Sequence, residues 1–182
     1  MKRCKAKGCS ARFEASGFVC WCSAACGASI AQERVAKKRA TALAIDRKET
    51  RAKLEAIKPR SKWLKEAEQA FNAWVRARDA KLCCISCGTR FGKENAGHYR
   101  SVGACPELRF EPLNVHRQCE RCNTHLHGNL IDYRRNLIDK IGMRGVEWLE
   151  GPHTPKHYTI EDLKAIKTLY RAKTLQLQNE ST

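Results

Sequence analysis

The chain has 182 residues and a formal net charge of +16, from 35 Lys and Arg against 19 Asp and Glu. This length suits one ordinary domain or two small ones with a connector. No run approaches the ~20 apolar residues that span a bilayer, and no apolar stretch follows the charged start MKRCKAKGCSARFEASGF, so neither a membrane protein nor a secreted one with a signal peptide is expected. A chain this basic points instead to a polyanionic partner, nucleic acid first, and to a cytoplasmic setting.

The eleven cysteines are many for that setting. In a reducing compartment such a count indicates metal binding rather than disulfides. They form two clusters, Cys4 to Cys26 and Cys83 to Cys122, with 56 cysteine-free residues between them. Residues 1–28 are too few to bury a core, so a metal is expected to hold them. C-x4-C (Cys4, Cys9) and C-x3-C (Cys22, Cys26) have spacings that let four thiolates reach one tetrahedral zinc. Cys20 could replace Cys22, although C-x3-C is the more usual knuckle.

Residues 29–58 read as one long helix, rich in Ala, Lys and Arg, with no Gly or Pro before Pro59. Its large apolar residues (Ile30, Val35, Leu43, Ile45, Leu54, Ile57) keep no steady heptad. From Arg34 to Lys65 there are twelve Lys or Arg and three Asp or Glu, so the helix is either a solvated spacer or a phosphate-facing element. A second helix is expected from Ser61, as N-cap, to about residue 78, with Trp63, Leu64, Ala67, Phe71, Trp74 and Val75 on a core-facing stripe. Phe91 to Phe110 reads as short strands and loops. Helix returns after Asn129, interrupted by Gly142 and Gly145 and ended by Gly151-Pro152. A last helix runs from Ile160 to about Leu177 behind a Thr159/Asp162 cap.

The run QCERCNTHLHGN, Gln118 to Asn129, could pass for a whole Cys2His2 finger. Yet Cys84-x2-Cys87 and Cys119-x2-Cys122 are two knuckles about thirty residues apart, and four such thiolates make a closed structural zinc site. That frees His125 and His127 for other work. Asn123, after the second knuckle, is expected at a helix start and on one face with His127. With His98 in AGHYR and Asn114 in NVHRQC, this gives an ordered triplet of His, Asn, and Asn or His, framed by two CxxC pairs.

That order resembles the His-Asn-His (HNH) nucleases of the ββα-metal type whose finger is braced by four cysteines, and is similar to the frame of phage endonuclease VII. The pieces KPRSKWLKEAEQAFNA, CISCGT, AGHYR, ELRF, NVHRQCERCN, GNL and the leading C-x4-C…WCSxxC resemble the NinG (Rap) family of lambdoid phages over nearly the whole chain. The resemblance implies an α+β, mostly helical chain. Its parts are an N-terminal Cys4 zinc finger (1–28), a basic helical linker (29–58), and an HNH nuclease domain with helical flanks (59–182). The implied activity is a metal-dependent endodeoxyribonuclease acting on branched recombination intermediates, Holliday junctions and D-loops.

Carried over residue by residue, His98 is then the general base, Asn123 a ligand of the catalytic ion, and Asn114 the residue that ties the loop and orients the histidine. His116 and His125 are further candidates for that ion, His125 ahead of His127, and Arg100 and Arg109 for phosphate contact. Gly97 departs from the pattern, since many HNH enzymes carry a metal-binding Asp or His there: either His116 or His125 completes the site, or His98 is itself a ligand and another group is the base. The implied cofactors are about two structural zinc ions per chain and a catalytic Mg²⁺ or Mn²⁺. The implied partners are branched DNA, a second copy in a homodimer, and recombination proteins of the phage or its host. A non-catalytic zinc DNA-binding accessory protein, and a sequence-specific HNH endonuclease, share much of this pattern.

Overall fold

Fifty-eight residues with two dipeptide strands and one long helix have little apolar surface to bury, and the first part of the molecule is gathered around sulfur instead. The computed structural model describes residues 1–15 and 17–180, which fall into two units, Met1–Lys58 and Pro59–Thr182. In the first, β1 (Lys2–Arg3) pairs antiparallel with β2 (Arg12–Phe13), and α1 (Ala24–Ala56) starts at Ser23, whose Oγ accepts from the Cys26 amide at 3.3 Å. The Sγ atoms of Cys4, Cys9, Cys22 and Cys26 all lie within 4.8 Å of one another. Cys22 Sγ stands 3.6 Å from both Cys9 Sγ and Cys26 Sγ. A tetrahedral zinc with Zn–S bonds of about 2.3 Å separates its sulfurs by about 3.8 Å, whereas a disulfide requires about 2.05 Å. The spacing therefore suits zinc. Cys26 lies in the first turn of α1, so the cysteine cluster and the long helix share residues rather than meeting at residue 28. Ile30 is the buried residue of α1, and every residue from Ala31 to Ile57 is exposed.

In the second unit, α2 (Arg60–Arg78) is capped two residues earlier than its sequence suggests. Pro59, with φ −67°, is its N-cap, and the Pro59 carbonyl accepts from Lys62 N and Trp63 N. Ser61 therefore sits inside the first turn and caps nothing. The apolar stripe packs on α4 (Ile160–Asn179), whose start carries the capping box expected at Thr159 and Asp162. Phe71 is fully buried and meets Phe110 and Tyr170 edge-on, at 5.7 and 4.8 Å between centroids. Burying such a side chain contributes about 1.5–3 kcal/mol, and each edge-on ring pair about 0.5–1.5 kcal/mol more.

Between these helices and the rest lies a hairpin, β3 (Glu94–His98) with β4 (Val115–Cys119), in antiparallel register with Gly97 opposite His116 and His98 opposite Val115. Ala96 and Val115 join the α2–α4 core. The other face meets α3 (Leu130–Glu150), whose Tyr133, Leu137, Val146 and Leu149 are fully buried with Tyr99 and Leu108 beside them. Gly142, at φ 78° and ψ 160°, breaks α3 as expected, while Gly145 stays helical. Gly97 is glycine for want of room: a Cβ there would stand 2.1 Å from Gln118 Oε1. Gln118 in turn donates to Ser86 Oγ at 2.7 Å and to the Gly128 carbonyl at 2.5 Å.

The two knuckles close one end of the hairpin. Cys84, Cys87, Cys119 and Cys122 form a second group of four sulfurs within 4.8 Å, with Cys87 Sγ 3.7 Å from Cys119 Sγ. Gly88, at φ +72°, makes the tight turn of the first knuckle, and the Ile85 amide donates to the Arg117 carbonyl of β4. Burial pushes the Cys122 thiol up to about 12, and neighbouring sulfurs push Cys22 to about 12. A divalent cation is what would let four adjacent sulfurs all be thiolates. His125 and His127 belong to neither group, so the finger suggested by QCERCNTHLHGN does not form; Cys20, Cys83 and Cys105 also stand outside.

Asp79, at the C-terminus of α2 and only 2% exposed, ties these layers together. Its carboxylate accepts from Arg78 Nε at 2.8 Å, Arg78 Nη2 at 2.7 Å and the Arg117 amide of β4 at 3.0 Å. Lys140 of α3 lies 3.7 Å away. Burial opposes ionisation, yet His116, the Arg78 guanidinium and the Arg117 amide hold its pKa far below the usual carboxylate range. Among the described residues, no helix is long and apolar enough to cross a membrane.

Two measurements test this architecture. Asp79→Asn leaves Arg78 and Lys140 without their counter-charge and is expected to cost roughly 3 kcal/mol in urea unfolding; a loss below 1 kcal/mol would show the node to be dispensable. Metal analysis is expected to find about two zinc per chain, with Cys4→Ala losing one and leaving the second unit folded. A Cys4→Ala protein that retains both would contradict the first site.

Candidate functional site

His98 is the last residue of β3, half-buried, and paired across the hairpin with Val115. Opposed residues of an antiparallel pair share a face, so its imidazole lies on the α2 side, near Glu68. Its Nε2 is 3.0 Å from the Arg109 carbonyl oxygen. A carbonyl only accepts, so Nε2 carries the proton and Nδ1 keeps a free lone pair. Burial, ahead of the opposing pull of the Arg109 carbonyl and the Glu68 charge, lowers the pKa of His98 below the usual histidine value. At neutral pH it is a neutral base in one fixed tautomer.

Asn114 ties the loop that follows His98. It is fully buried just before β4, and its carboxamide closes on the residues after His98. Oδ1 accepts from the Arg100 amide at 2.8 Å, while Nδ2 donates to the carbonyls of Arg100 at 3.0 Å and Leu108 at 3.1 Å. Its own carbonyl accepts from Tyr99 N at 2.8 Å. With all its polar atoms committed, Asn114 is a positioning residue that fixes both ends of the 99–114 loop.

Asn123 lies elsewhere. β4 runs four residues from the level of His98 to Cys119, about 13 Å at strand rise, and Asn123 follows Cys122 of the second knuckle in the next turn. It does not begin a regular helix. Arg121–His125 is a π-turn, then His127 and Asn129 take left-handed backbone (φ 48° and 42°) around Gly128, and α3 starts only at Leu130. The shared face expected of Asn123 and His127 is therefore lost, because the left-handed backbone at His127 takes it out of the turn that holds Asn123. Asn123 is half-exposed, and His125 and His127 are exposed. π-Turns and left-handed non-glycine residues are costly conformations that cluster at functional sites.

The remaining candidates divide. His116 is 3% exposed and has both nitrogens engaged: Arg78 Nη2 donates to Nδ1 at 3.1 Å and Nε2–H donates to the Leu113 carbonyl at 3.1 Å. It is part of the Asp79 node and offers no lone pair to an ion. Arg109 is ion-paired with Glu68 of α2, which leaves its guanidinium partly occupied. Arg100 is half-buried, with an enclosed Nε that has no partner among the described residues. Beside it, Tyr99 and Arg134 both donate to Glu150, which lowers that carboxyl to about 2. Among the described residues, the two cysteine groups are the clusters of three or more Cys, His or acidic ligands near enough to share an ion. No such group surrounds His98 or Asn123.

Sequence reasoning missed the Arg109 carbonyl, Gln118, Ser86 and Asp79. None has a spacing signature, since each acts through a contact far along the chain. Only Gly97 hinted at one of them, by marking a strand position where no side chain fits.

Comparison with known proteins assigns the lineage. The model of the Bacteriophage Lambda NinG protein matches residues 1–180. Protein ninG of Escherichia phage lambda is 44% identical over 98% of this chain and 94% of its own length, and that of Salmonella phage P22 is 42% identical over the same shares. Protein ninG of Enterobacteria phage H19B is 48% identical over 68% of this chain and 62% of its own. No solved structure matches the chain. On a match that runs from end to end, the chain belongs to the NinG family of bacteriophage proteins.

Proposed function

We propose that this protein is a metal-dependent endodeoxyribonuclease of the HNH type, selective for branched recombination intermediates such as Holliday junctions and D-loops. The observation that carries the reading is His98: a neutral imidazole at the end of a zinc-braced hairpin, with Nε2 anchored on the Arg109 carbonyl and Nδ1 unencumbered. A base held in this tautomer can take the proton of a water attacking phosphorus in line with the scissile P–O bond. The 3′ oxygen leaves, and the proton remains on Nδ1 until solvent removes it. Asn114 contributes by fixing the loop that places Arg109, and the +16 charge favours a polyanionic substrate.

A divalent Mg²⁺ or Mn²⁺ would supply charge stabilisation at the phosphoryl and leaving oxygens. Asn123 and the exposed His125 are the side chains available to hold it, and His116 is withdrawn from that set. Two donors are a sparse site, of the kind that Mg²⁺ completes with water and substrate phosphate. Among the described residues no group of three or more Cys, His or acidic ligands includes His98, and that favours a second reading, a zinc protein that binds and presents branched DNA without cutting it. Resolving a junction takes two opposed nicks, which a homodimer delivers most simply.

Purified protein with Mg²⁺ or Mn²⁺ is expected to nick a four-way junction faster than a matched linear duplex. His98→Ala is expected to lower the single-turnover rate by about 10²–10⁴-fold while leaving junction binding within two-fold. Binding without cleavage in either metal would sink the nuclease and support the presenting protein. Because protonation disables the base and the His98 pKa lies below that of ordinary histidine, the wild-type rate is expected to be level above about pH 6.5 and to fall on acidification. A rate that goes on rising tenfold per unit from pH 7 to 9 would assign the base elsewhere.

A further inference from the structure

Helix α1 is exposed along almost its whole length, yet its charge is not spread evenly around it. At about 100° per residue, Arg34, Lys37, Lys38, Arg47, Lys48 and Arg51 fall on one half of the circumference, with Glu33 and Glu55. The other half carries Arg39 and Lys53 against Asp46 and Glu49, together with Val35, Leu43 and Leu54. One face thus has a net charge of +4 and the opposite face none. The basic face runs from Arg34 to Arg51, about 26 Å at helical rise, or about three-quarters of a turn of duplex DNA. Among the described residues, none of those six basic side chains forms a salt bridge. Segregation of this kind is not needed for solubility, which charges distributed all round would provide.

We propose that the Arg34–Arg51 face of α1 is a phosphate-backbone grip for a duplex DNA arm, without base recognition. The proposal rests on DNA being the ligand of this protein and adds which surface holds it. Charge complementarity selects the occupant. A second copy of α1 would bring like charge to like charge, whereas a duplex presents one phosphate per ~1.7 Å of axis. Long flexible Lys and Arg side chains with no acidic partner can follow that backbone at small cost in register. The grip would be indifferent to sequence and to branching, so it adds affinity for any arm and leaves the choice of structure to the second unit.

The test is salt-dependent binding, with no added divalent cation so that cleavage plays no part. Two double variants remove the same charge from opposite faces, Lys37→Ala with Lys48→Ala, and Arg39→Ala with Lys53→Ala. Alanine keeps the helix, and circular dichroism checks that it does. The first pair is expected to lower the slope of log K against log salt by about 2 and to weaken binding to junction and linear duplex alike, by roughly tenfold. The second pair is expected to stay within two-fold of wild type. Equal losses from both pairs would reduce α1 to a diffuse charge, and no loss from either would remove it from the interface. If the first pair leaves DNA binding intact but abolishes binding to polyglutamate, the face serves an acidic protein and the proposal is overturned. Loss of cleavage in every metal with this binding pattern preserved would count against the nuclease reading alone.

Discussion

The second unit turns on a carboxylate that has almost no access to water. Asp79 ends α2, and in doing so it binds an amide of β4, two guanidinium nitrogens and, at longer range, an ammonium of α3. Burying a charge is costly unless it is paired and hydrogen-bonded, and here every surrounding layer contributes a donor. The arrangement is self-consistent only in one geometry. If β4 slipped by a residue, the Arg117 amide would leave Asp79 and His116 would exchange faces with Val115. A polar node therefore sets the register of a hairpin that five-residue strands would specify weakly by themselves.

Register matters because the two faces of this hairpin do different things. Val115 and Ala96 fill the aromatic core between α2 and α4, and His98 emerges at the end of that same face. Gly97, His116 and Gln118 line the other face, where space is so tight that Gly97 cannot be anything larger. The four-sulfur group then clamps the far end of the hairpin, where Ser86 of the first knuckle and Gly128 beyond the second meet on Gln118. Structural order comes from both ends: sulfur at one, the Asn114 carboxamide at the other.

How much of this was legible in the sequence follows from which interactions are local. The two cysteine quartets could be read from spacing because a knuckle is a local object, and α2, α3 and the Thr159 cap of α4 could be read from periodicity and capping. Ser61 misled because Pro59 already supplied the helix entry. The stretch after Cys122 misleads for a deeper reason: Asn123 reads as a helix start, but the chain passes through a π-turn and two left-handed residues before α3 begins at Leu130. His116 looked like a metal ligand by residue type and is instead consumed by a buried network whose other members, Asp79 and Lys140, lie far away in sequence. Pairings over such distances leave no trace in one sequence.

These constraints bear on what the molecule can do with a metal. Every ready-made group of metal ligands among the described residues is made of sulfur, and a closed sulfur tetrahedron holds shape without admitting water or phosphate. Oxygen and imidazole donors occur singly: Asn123 and His125 in a strained turn, His98 some way off at the other end of the hairpin. Under the nuclease reading, Asn123 and His125 would hold a catalytic ion together with water and substrate phosphate rather than in a ready-made protein cage. That division would separate the tasks cleanly, with zinc maintaining the scaffold and water and substrate phosphate supplying most of the second metal's ligands. Gly97 has no side chain to offer such an ion, because the space a larger residue would need is filled by Gln118, which donates to Ser86 of the first knuckle and to the Gly128 carbonyl.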